Sequence, residues 1–168
     1  MTGVHFTSKS NEWATPQDMF DELDREFNFT LDPCATHENH KCGRYYTRAE
    51  DGLTQSWSGE RVFMNPPYGN EISLWVAKAY TESLRGALVV CLIPSRTDTR
   101  YWHDDVMKAD EIRFSEGRLR CIGNASDCAP FPSAIVIFQP KAVEKSSGTP
   151  RVLSARGKRK PGVQLTLG

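Results

Sequence analysis

The stretch Arg61-Val62-Phe63-Met64-Asn65-Pro66-Pro67-Tyr68-Gly69 joins an apolar run to two consecutive prolines. The apolar residues 62–64 are typical of a parallel strand that is buried on both faces. Each proline holds φ at about −65° and has no backbone N–H, so neither can continue a strand ladder or a helix interior. The stretch therefore predicts a strand and then a stiff turn. Such a turn holds Asn65 and Tyr68 at the carboxyl edge of a sheet, where open α/β sheets bind ligands.

The residues after this turn predict a strand-helix-strand unit. Apolar side chains recur at helical spacing over residues 72–84, and Gly86 then indicates a stop. Residues 87–93 form a nearly continuous apolar run, which is the pattern of a central parallel strand. Together with the strand at 61–64, these elements would make a right-handed crossover.

The residues before the central stretch predict a helix and a first strand. Thr15 offers a capping hydroxyl before Pro16, and apolar residues follow at helical spacing, so we expect a helix over about 16–25. Residues 27–31 alternate between apolar and polar side chains and predict a strand. That strand ends at Asp32-Pro33-Cys34-Ala35, which places a carboxylate and a proline turn after it.

The sequence pattern of the remaining residues predicts two further strands, a hairpin arm and a sheet of reduced size. Residues 111–114 and 133–138 have the pattern of strands, and residues 117–121 that of a hairpin arm. Only 33 residues separate Asp32 from Asn65, which is too short for two full strand-helix units. We therefore expect this side of the sheet to be reduced in size.

The charges divide the chain into two regions. The net charge is zero, but residues 141–168 hold seven Lys or Arg and one acid, which leaves 14 bases and 20 acids before them. With 168 residues and 39% hydrophobic content, the chain can bury one sizeable core. We predict a single domain over 1–140 and a basic, disordered tail over 141–168. The tail is either a tether for nucleic acid or a solubilising extension.

Composition also indicates the compartment. No apolar run approaches the roughly 20 residues of a membrane span, and no basic-then-apolar leader begins the chain. Five cysteines are an odd number without a secretion signal, which favours reduced thiols over a disulfide framework. We therefore expect a cytoplasmic protein without membrane contact. The sequence does not fix the oligomeric state, and we assume a monomer.

A possible metal site is disfavoured by its spacing. Cys34, His37, His40 and Cys42 place four potential zinc ligands within nine residues. Structural zinc sites usually separate two pairs of ligands by a longer loop. We therefore predict no metal.

Five motifs together resemble those of the small S-adenosylmethionine-dependent DNA N-6-adenine methyltransferases of phages and prophages, over about residues 11–138. In chain order they are Thr15-Pro16, Asp32-Pro33-Cys34-Ala35, Asn65-Pro66-Pro67-Tyr68-Gly69, Pro94-Ser95-Arg96-Thr97-Asp98-Thr99 and Gly117-Arg118-Leu119. The resemblance implies a reduced Rossmann-like α/β fold, in which an antiparallel hairpin closes a mostly parallel sheet. It also implies S-adenosylmethionine as methyl donor and double-stranded DNA of a bacterial host cell as partner.

The resemblance assigns the chemistry to the central motif. In this family the Asn amide oxygen and a Pro carbonyl accept hydrogen bonds from the amino group of a flipped-out adenine, and the aromatic ring stacks on the base. The matching catalytic residues are Asn65, Pro66 and Tyr68, and Pro67 is expected to contact the base beside Tyr68. The implied reaction is in-line transfer of a methyl group to the amino nitrogen, with catalysis mostly by orientation.

The resemblance also implies a cofactor site. The residues expected to contact the cofactor are Trp13, Thr15, Asp32, Cys34, Ala35, Asp51 and Asn65. A carboxylate at Asp32 can face the ammonium or sulfonium charge of the cofactor, although no Gly-x-Gly follows Ala35 as in the commoner pattern. The alternative for Asp32 is a capped turn, and Asp51 suits a solvated turn equally well.

Further candidates concern DNA. Arg96 and Thr97 follow the strand at 87–93 on the same expected edge and suit phosphate binding. The alternative is that Thr97 or Thr99 caps the next helix while Arg96 pairs with Asp98. Arg118 either faces DNA or is an exposed strand charge.

Two other functions stay open. A protein methyltransferase that acts on a glutamine side chain also uses an Asn-Pro-Pro-Tyr site, because the nitrogen of the glutamine carboxamide is planar, like the amino nitrogen of adenine. A catalytically silent DNA-binding module is the second, and the missing glycines after Ala35 are its only support.

Overall fold

The computed structural model of the protein describes residues 14–119 and 129–141. In this part of the chain six strands form one sheet: β1 (Leu31–Asp32), β2 (Arg44–Tyr45), β3 (Arg61–Met64), β4 (Leu88–Pro94), β5 (Glu111–Phe114) and β6 (Ser133–Phe138). The helices of the same residues are α1 (Gln17–Phe27), α2 (Ile72–Ser83), α3 (Arg100–Asp104) and a 3-10 turn at Val106–Lys108.

The sheet is mixed, with the strand order β2-β1-β3-β4-β6-β5. The first four of these are parallel, whereas β6 runs antiparallel to both of its neighbours, β4 and β5. The register pairs Met64 with Cys91 and Pro94 with Ser133. The parallel strands therefore bring their carboxyl ends, at Asp32, Met64 and Pro94, to one edge of the sheet.

Helices cover both faces of the sheet. On one face α2 packs with its buried side chains, including Trp75 and Val76, against β-strand residues and Trp57. On the other face α1 places Phe20 and Leu23 against Phe63 and its neighbours. Burial of a large apolar side chain stabilises the fold by roughly 1.5–3 kcal/mol, so these two layers hold the sheet edge in place.

Most of the predicted elements are confirmed. The strands at 61–64, 111–114 and 133–138 have the predicted bounds, and the helix predicted over 72–84 ends at Ser83. The strand predicted over 87–93 is shifted by one residue, to Leu88–Pro94. The antiparallel closure is seen at β5 and β6.

The strand predicted over 27–31 is wrong, because α1 continues through Phe27. Asn28 then ends the helix in the left-handed conformation (φ 51°), and the Asp24 carboxylate accepts a hydrogen bond from the Phe29 N–H at 2.7 Å. The strand itself is only Leu31–Asp32. The helical spacing of the apolar residues thus outweighs the local alternation.

Several predictions fall outside the described residues. Trp13, residues 120–121 of the predicted hairpin arm and residues 142–168 of the tail belong to this group. The described part of that arm, residues 117–119, is not a strand, so the prediction is wrong there. Lys141 is described: its N–H donates to the Ser83 carbonyl at 2.8 Å, and its ammonium pairs with Asp110. Among the residues described, no helix combines the length and apolarity that a membrane crossing requires.

Candidate active site

A cavity of about 700 Å³ opens at the carboxyl ends of β1 and β3. Its wall is built by the start of α1, the segment between β1 and β2, and the turn after β3. The predicted site residues in this wall are Thr15, Asp32, Cys34, Ala35, Asn65, Pro66 and Pro67. Residues far apart in the sequence thus meet at the carboxyl edge of the parallel strands, where open α/β sheets bind ligands.

Asp32 is the buried acid of this cavity, with 5% of its surface exposed. Burial raises the pKa of Asp32, and backbone N–H groups of Lys41 (3.1 Å) and Cys34 (3.4 Å) offset part of that rise. Both carboxylate oxygens are therefore held by the loop that follows β1. A buried carboxylate in a cavity wall suits a cationic ligand group.

Asn65 is oriented by partners on both ends of its carboxamide. Its Nδ2 donates to Thr15 Oγ1 at 2.9 Å, and its Oδ1 accepts from the Tyr68 hydroxyl at 2.8 Å. Thr15 is buried, and α1 is capped by Pro16 without a side-chain hydrogen bond. The helix-capping role predicted for the Thr15 hydroxyl is thus wrong, because that hydroxyl accepts a hydrogen bond from Asn65.

Tyr68 is bonded to Asn65 but is not among the residues that line the large cavity. Its ring lines a narrow second pocket and meets the Phe131 ring edge-on, with 5.3 Å between centroids. Its hydroxyl lies 2.8 Å from Asn65 Oδ1 and 3.2 Å from the Leu92 carbonyl. One hydroxyl hydrogen serves only one acceptor at a time, so the Leu92 carbonyl offers the hydroxyl an alternative to Asn65.

Arg96 reaches this aromatic pair from the loop after β4. Its guanidinium lies 5.8 Å from the Phe131 ring centroid, and both Arg96 and Thr97 are exposed. No ion pair joins Arg96 to Asp98 within the described ranges. The cap position of α3 is Thr99, one of the two threonines named for it, although its side chain makes no capping hydrogen bond. The phosphate contacts of Arg96 and Thr97 stay predictions.

Asp51 and Arg118 are two further predicted site residues outside the cavity wall. Asp51 is exposed at a positive φ of 51°, where its carboxylate accepts a hydrogen bond from the Leu53 N–H at 3.2 Å. This is the turn that its sequence also suited. Arg118 is exposed in a non-strand segment after β5. Neither residue is among those that line the large cavity.

The cysteine and histidine cluster forms other contacts. His37 bonds the Tyr45 hydroxyl at 3.0 Å, and His40 bonds the Cys42 carbonyl at 3.0 Å. No group of three potential metal ligands is assembled among residues 14–119 and 129–141. Burial raises the pKa of the Cys34 thiol well above its ordinary value, so Cys34 contributes a neutral wall to the cavity.

Two residues of the site were missed by sequence reasoning. Phe131 lies in a proline-rich loop whose aromatic residue could have been singled out, but its partner Tyr68 is distant in the sequence. Lys41 lines the cavity from the segment between β1 and β2. Its position depends on a hydrogen bond to Asp32 that no local pattern predicts.

Known proteins share this chain's sequence over most of its length. The sequence model of the family described as DNA N-6-adenine-methyltransferase (Dam) matches residues 5–161. The DNA N-6-adenine-methyltransferase of Haemophilus phage HP1 is 34% identical over 146 residues, which cover 81% of this chain and 84% of that protein. The protein of the same name from Escherichia phage T1 is 27% identical over 109 residues, which cover 64% of this chain and 45% of that protein.

These matches agree with the resemblance stated from the motifs. The family match includes every predicted site residue from Trp13 to Arg118. The mixed α/β architecture, with one six-stranded sheet in the described residues, is consistent with a methyltransferase-like fold. The chain therefore belongs to the DNA N-6-adenine-methyltransferase (Dam) family.

Proposed function

We propose that the protein methylates the exocyclic amino nitrogen of adenine in double-stranded DNA, with the base flipped out of the helix. S-adenosylmethionine, when bound, supplies the methyl group. The fold is then a reduced Rossmann-like methyltransferase fold, and the enzyme works in the cytoplasm of a bacterial host cell. The family match and the names of the two phage relatives support the reaction and the substrate.

The observation that carries this proposal is that Asn65 lines the large cavity and is hydrogen-bonded to Tyr68, whose ring lines the second pocket. The large cavity is also lined by the buried Asp32, and the second pocket by the aromatic pair of Tyr68 and Phe131. An amide oxygen in a cavity wall and beside an aromatic side chain suits a hydrogen bond from the amino group of a stacked base.

The large cavity fits the proposed cofactor. Its volume of about 700 Å³ lies within the range of roughly 300–1,000 Å³ that small-molecule sites occupy. The Asp32 carboxylate suits the positive charges of the cofactor, and the hydroxyl of Thr15 and the thiol of Cys34 are neutral. The loop from Asp32 to Ala35 lines the cavity without a Gly-x-Gly motif, which argues against a silent module.

The groups of the chain orient the amino nitrogen. The Asn65 oxygen accepts one amino hydrogen when the Tyr68 hydroxyl turns to the Leu92 carbonyl, and the Pro66 carbonyl is the family's second acceptor. Hydrogen bonds to both amino hydrogens direct the nitrogen lone pair away from these acceptors. The nitrogen would gain the methyl group as the methyl–sulfur bond of the donor breaks and leaves a neutral thioether, and it would give up one proton on the acceptor side, from where the proton passes to solvent. Orientation in a desolvated site supplies most of the acceleration.

The experiment offers radiolabelled S-adenosylmethionine with unmethylated duplex DNA or with host-cell protein. We expect label in DNA only, and we expect Asn65→Ala to reduce the transfer rate by about 10²-fold, as for loss of one oriented catalytic hydrogen bond. Asn70→Ala, at an exposed position in the turn after the motif, is the matched control and should transfer normally. Label in protein would favour the glutamine methyltransferase, and DNA binding without transfer would favour the silent module.

A further inference from the structure

The cavity contains a cation that the proposed reaction does not yet use. Lys41 lines the wall, and its backbone N–H donates to Asp32 Oδ2 at 3.1 Å. The buried acid and the lysine are therefore fixed relative to each other by the same loop. A ligand that reaches Asp32 also comes within the neighbourhood of the Lys41 side chain.

The Lys41 ammonium is held by a neutral group. Its Nζ donates to Gln17 Oε1 at 2.8 Å, and Gln17 Nε2 in turn donates to Asp21 Oδ1 at 2.7 Å. In the part of the chain that the structure describes, no carboxylate forms an ion pair with Lys41. Lys41 is half-buried as a residue, and its ammonium, with an amide partner at an exposed position, has two further hydrogens for an anion.

The other basic side chains in the wall are less suited to this task. His37 and His40 bond Tyr45 and the Cys42 carbonyl, and the His40 ring stacks on Tyr45 with 4.1 Å between centroids. Arg48 also lines the cavity, but it is exposed to solvent, where an ion pair is weak. Lys41 differs from these side chains because its backbone is bonded to the buried acid and its ammonium has an amide partner.

We infer that Lys41 binds the α-carboxylate of the methionine moiety of S-adenosylmethionine, with Gln17 as the residue that positions its ammonium. This inference rests on the proposed function. The methionine moiety bears two cationic centres and one carboxylate. Asp32 complements the cations, and the carboxylate requires a cation of its own. Lys41 and Asp32 together would select a zwitterionic ligand.

The test compares two ligands by calorimetry. Wild-type protein and Lys41→Met are titrated with S-adenosylmethionine and with its decarboxylated analogue, which lacks only the carboxylate. We expect Lys41→Met to weaken binding of S-adenosylmethionine by about 10- to 100-fold, as for loss of a hydrogen bond to a charged group. The affinity for the decarboxylated analogue should change by less than about 3-fold, since that ligand has nothing to pair with Lys41.

Control variants separate the possible causes. Lys108→Met removes a cation outside the cavity wall and should bind both ligands like the wild type. Arg48→Met tests the competing cation. The inference is overturned if Arg48→Met shows the carboxylate-dependent loss instead, or if Lys41→Met weakens both ligands equally.

The outcome also distinguishes this inference from the proposed function. A wild-type protein that binds the two ligands equally well would overturn the role of Lys41 while the methyltransferase function stands. A wild-type protein that binds neither ligand would overturn the proposed function itself. Far-ultraviolet circular dichroism of each variant shows that the fold is retained.

Discussion

The orientation of the Asn65 carboxamide depends on a residue 50 positions earlier in the chain. Thr15 is 4% exposed, and its hydroxyl accepts the hydrogen bond of Asn65 Nδ2 at 2.9 Å. The amide oxygen is thereby directed to the Tyr68 side, where the amino group of a base would lie. Sequence reasoning identified both Thr15 and Asn65 as site residues, but not their contact, because it arises only from the folding of α1 over β3.

Thr15→Val tests this contact. Valine has nearly the same shape as threonine but cannot accept a hydrogen bond, so we expect kcat at saturating ligands to fall about 10-fold, equivalent to ~1.4 kcal/mol. Thr15→Ser keeps the hydroxyl and should retain most of the rate. Equal losses in the two variants would mean that the threonine methyl group, rather than its hydroxyl, matters.

At the scale of elements, the loop after β1 is supported by a glycine that sequence reasoning did not single out. A Cβ at Gly52 would lie 2.0 Å from the Pro33 carbonyl oxygen and 3.2 Å from the Trp75 ring. Pro33 follows Asp32 directly, so the turn at residues 51–52 fixes the loop that bears the buried acid. Asp51, predicted to contact the cofactor, lies next to this contact point but outside the cavity wall.

Gly52→Ala should therefore damage both the fold and the cavity. The backbone carbonyl of Pro33 cannot yield without moving the loop, and overpacking of this kind costs about 1–3 kcal/mol. We expect a lower free energy of unfolding in urea and weaker binding of S-adenosylmethionine. Gly43→Ala is the matched control, since a Cβ there meets no atom within 4 Å. A Gly52→Ala protein as stable as Gly43→Ala would contradict this account.

The connection between β2 and β3 is tied to α2 by a buried acid. Glu82 is fully buried, and it accepts hydrogen bonds from the Trp57 N–H at 2.9 Å and from Lys78 at 2.7 Å. Burial acts to raise the pKa of Glu82, but the hydrogen bonds from Lys78 and Trp57 and the charges of Lys78 and Arg85 hold it below its ordinary value. The ionised form is thus the one that the fold stabilises.

This shift predicts a dependence of stability on pH. Because the folded-state pKa of Glu82 is lowered, its contribution is present above its unfolded pKa of about 4.3 and is lost as the pH falls through the folded value. Glu82→Gln should lower the free energy of unfolding at pH 7 by about 2 kcal/mol. Its stability should also fall less steeply than that of the wild type below about pH 5. Urea titrations at several pH values measure both effects.

An exposed acid of α1 serves as the control for the pH dependence of stability. Glu22→Gln changes an exposed residue of α1 and should leave the wild-type pH dependence in place. If Glu82→Gln and wild type lose stability in parallel below pH 5, the buried carboxylate does not govern this part of the acid response.

The elements differ in how well the sequence predicted them. The strands at Arg61–Met64 and Ser133–Phe138 have uninterrupted apolar runs bounded by prolines or polar residues, and their bounds were predicted correctly. The strands at Leu31–Asp32 and Arg44–Tyr45 have two residues each. Two residues are too few to show the alternation of apolar and polar side chains that predicts a strand. These strands are recognised only by their pairing with neighbouring strands.

At the scale of the whole molecule, the strand order decides which predicted residues meet. Asp32 and Asn65 come together because β1 and β3 are parallel neighbours. Lys41 and Phe131 could not be assigned to the site from local patterns, since each meets its partner across the fold. The motifs thus predict which residues lie at the carboxyl edge of the sheet. The other residues of the cavity wall can be identified only from the folded structure.

We propose that the basic tail either tethers nucleic acid or solubilises the protein. Beyond Lys141, which pairs with Asp110, it holds six Lys or Arg, at 145, 151, 156, 158, 159 and 160. If the tail is a tether, deletion of 142–168 should weaken DNA binding and make its salt dependence shallower, by about 0.9 in log–log slope for each phosphate that the tail neutralises. Fluorescence anisotropy at several salt concentrations measures this.

A full-length variant with these six residues changed to glutamine separates charge from length. It should behave like the deletion, and both should bind S-adenosylmethionine as the wild type does. An unchanged affinity and salt slope in both variants would assign the tail a solubilising role.

The proposed function requires that the amino nitrogen of adenine receives the methyl group. The most direct measurement incubates unmethylated duplex DNA with the protein and S-adenosylmethionine, digests the DNA to nucleosides and identifies them by mass spectrometry. We expect N-6-methyldeoxyadenosine with the wild type, and about 10²-fold slower formation with Asn65→Ala. Methylcytosine in place of methyladenine, or equal methyladenine formation by Asn65→Ala, would contradict the proposed function.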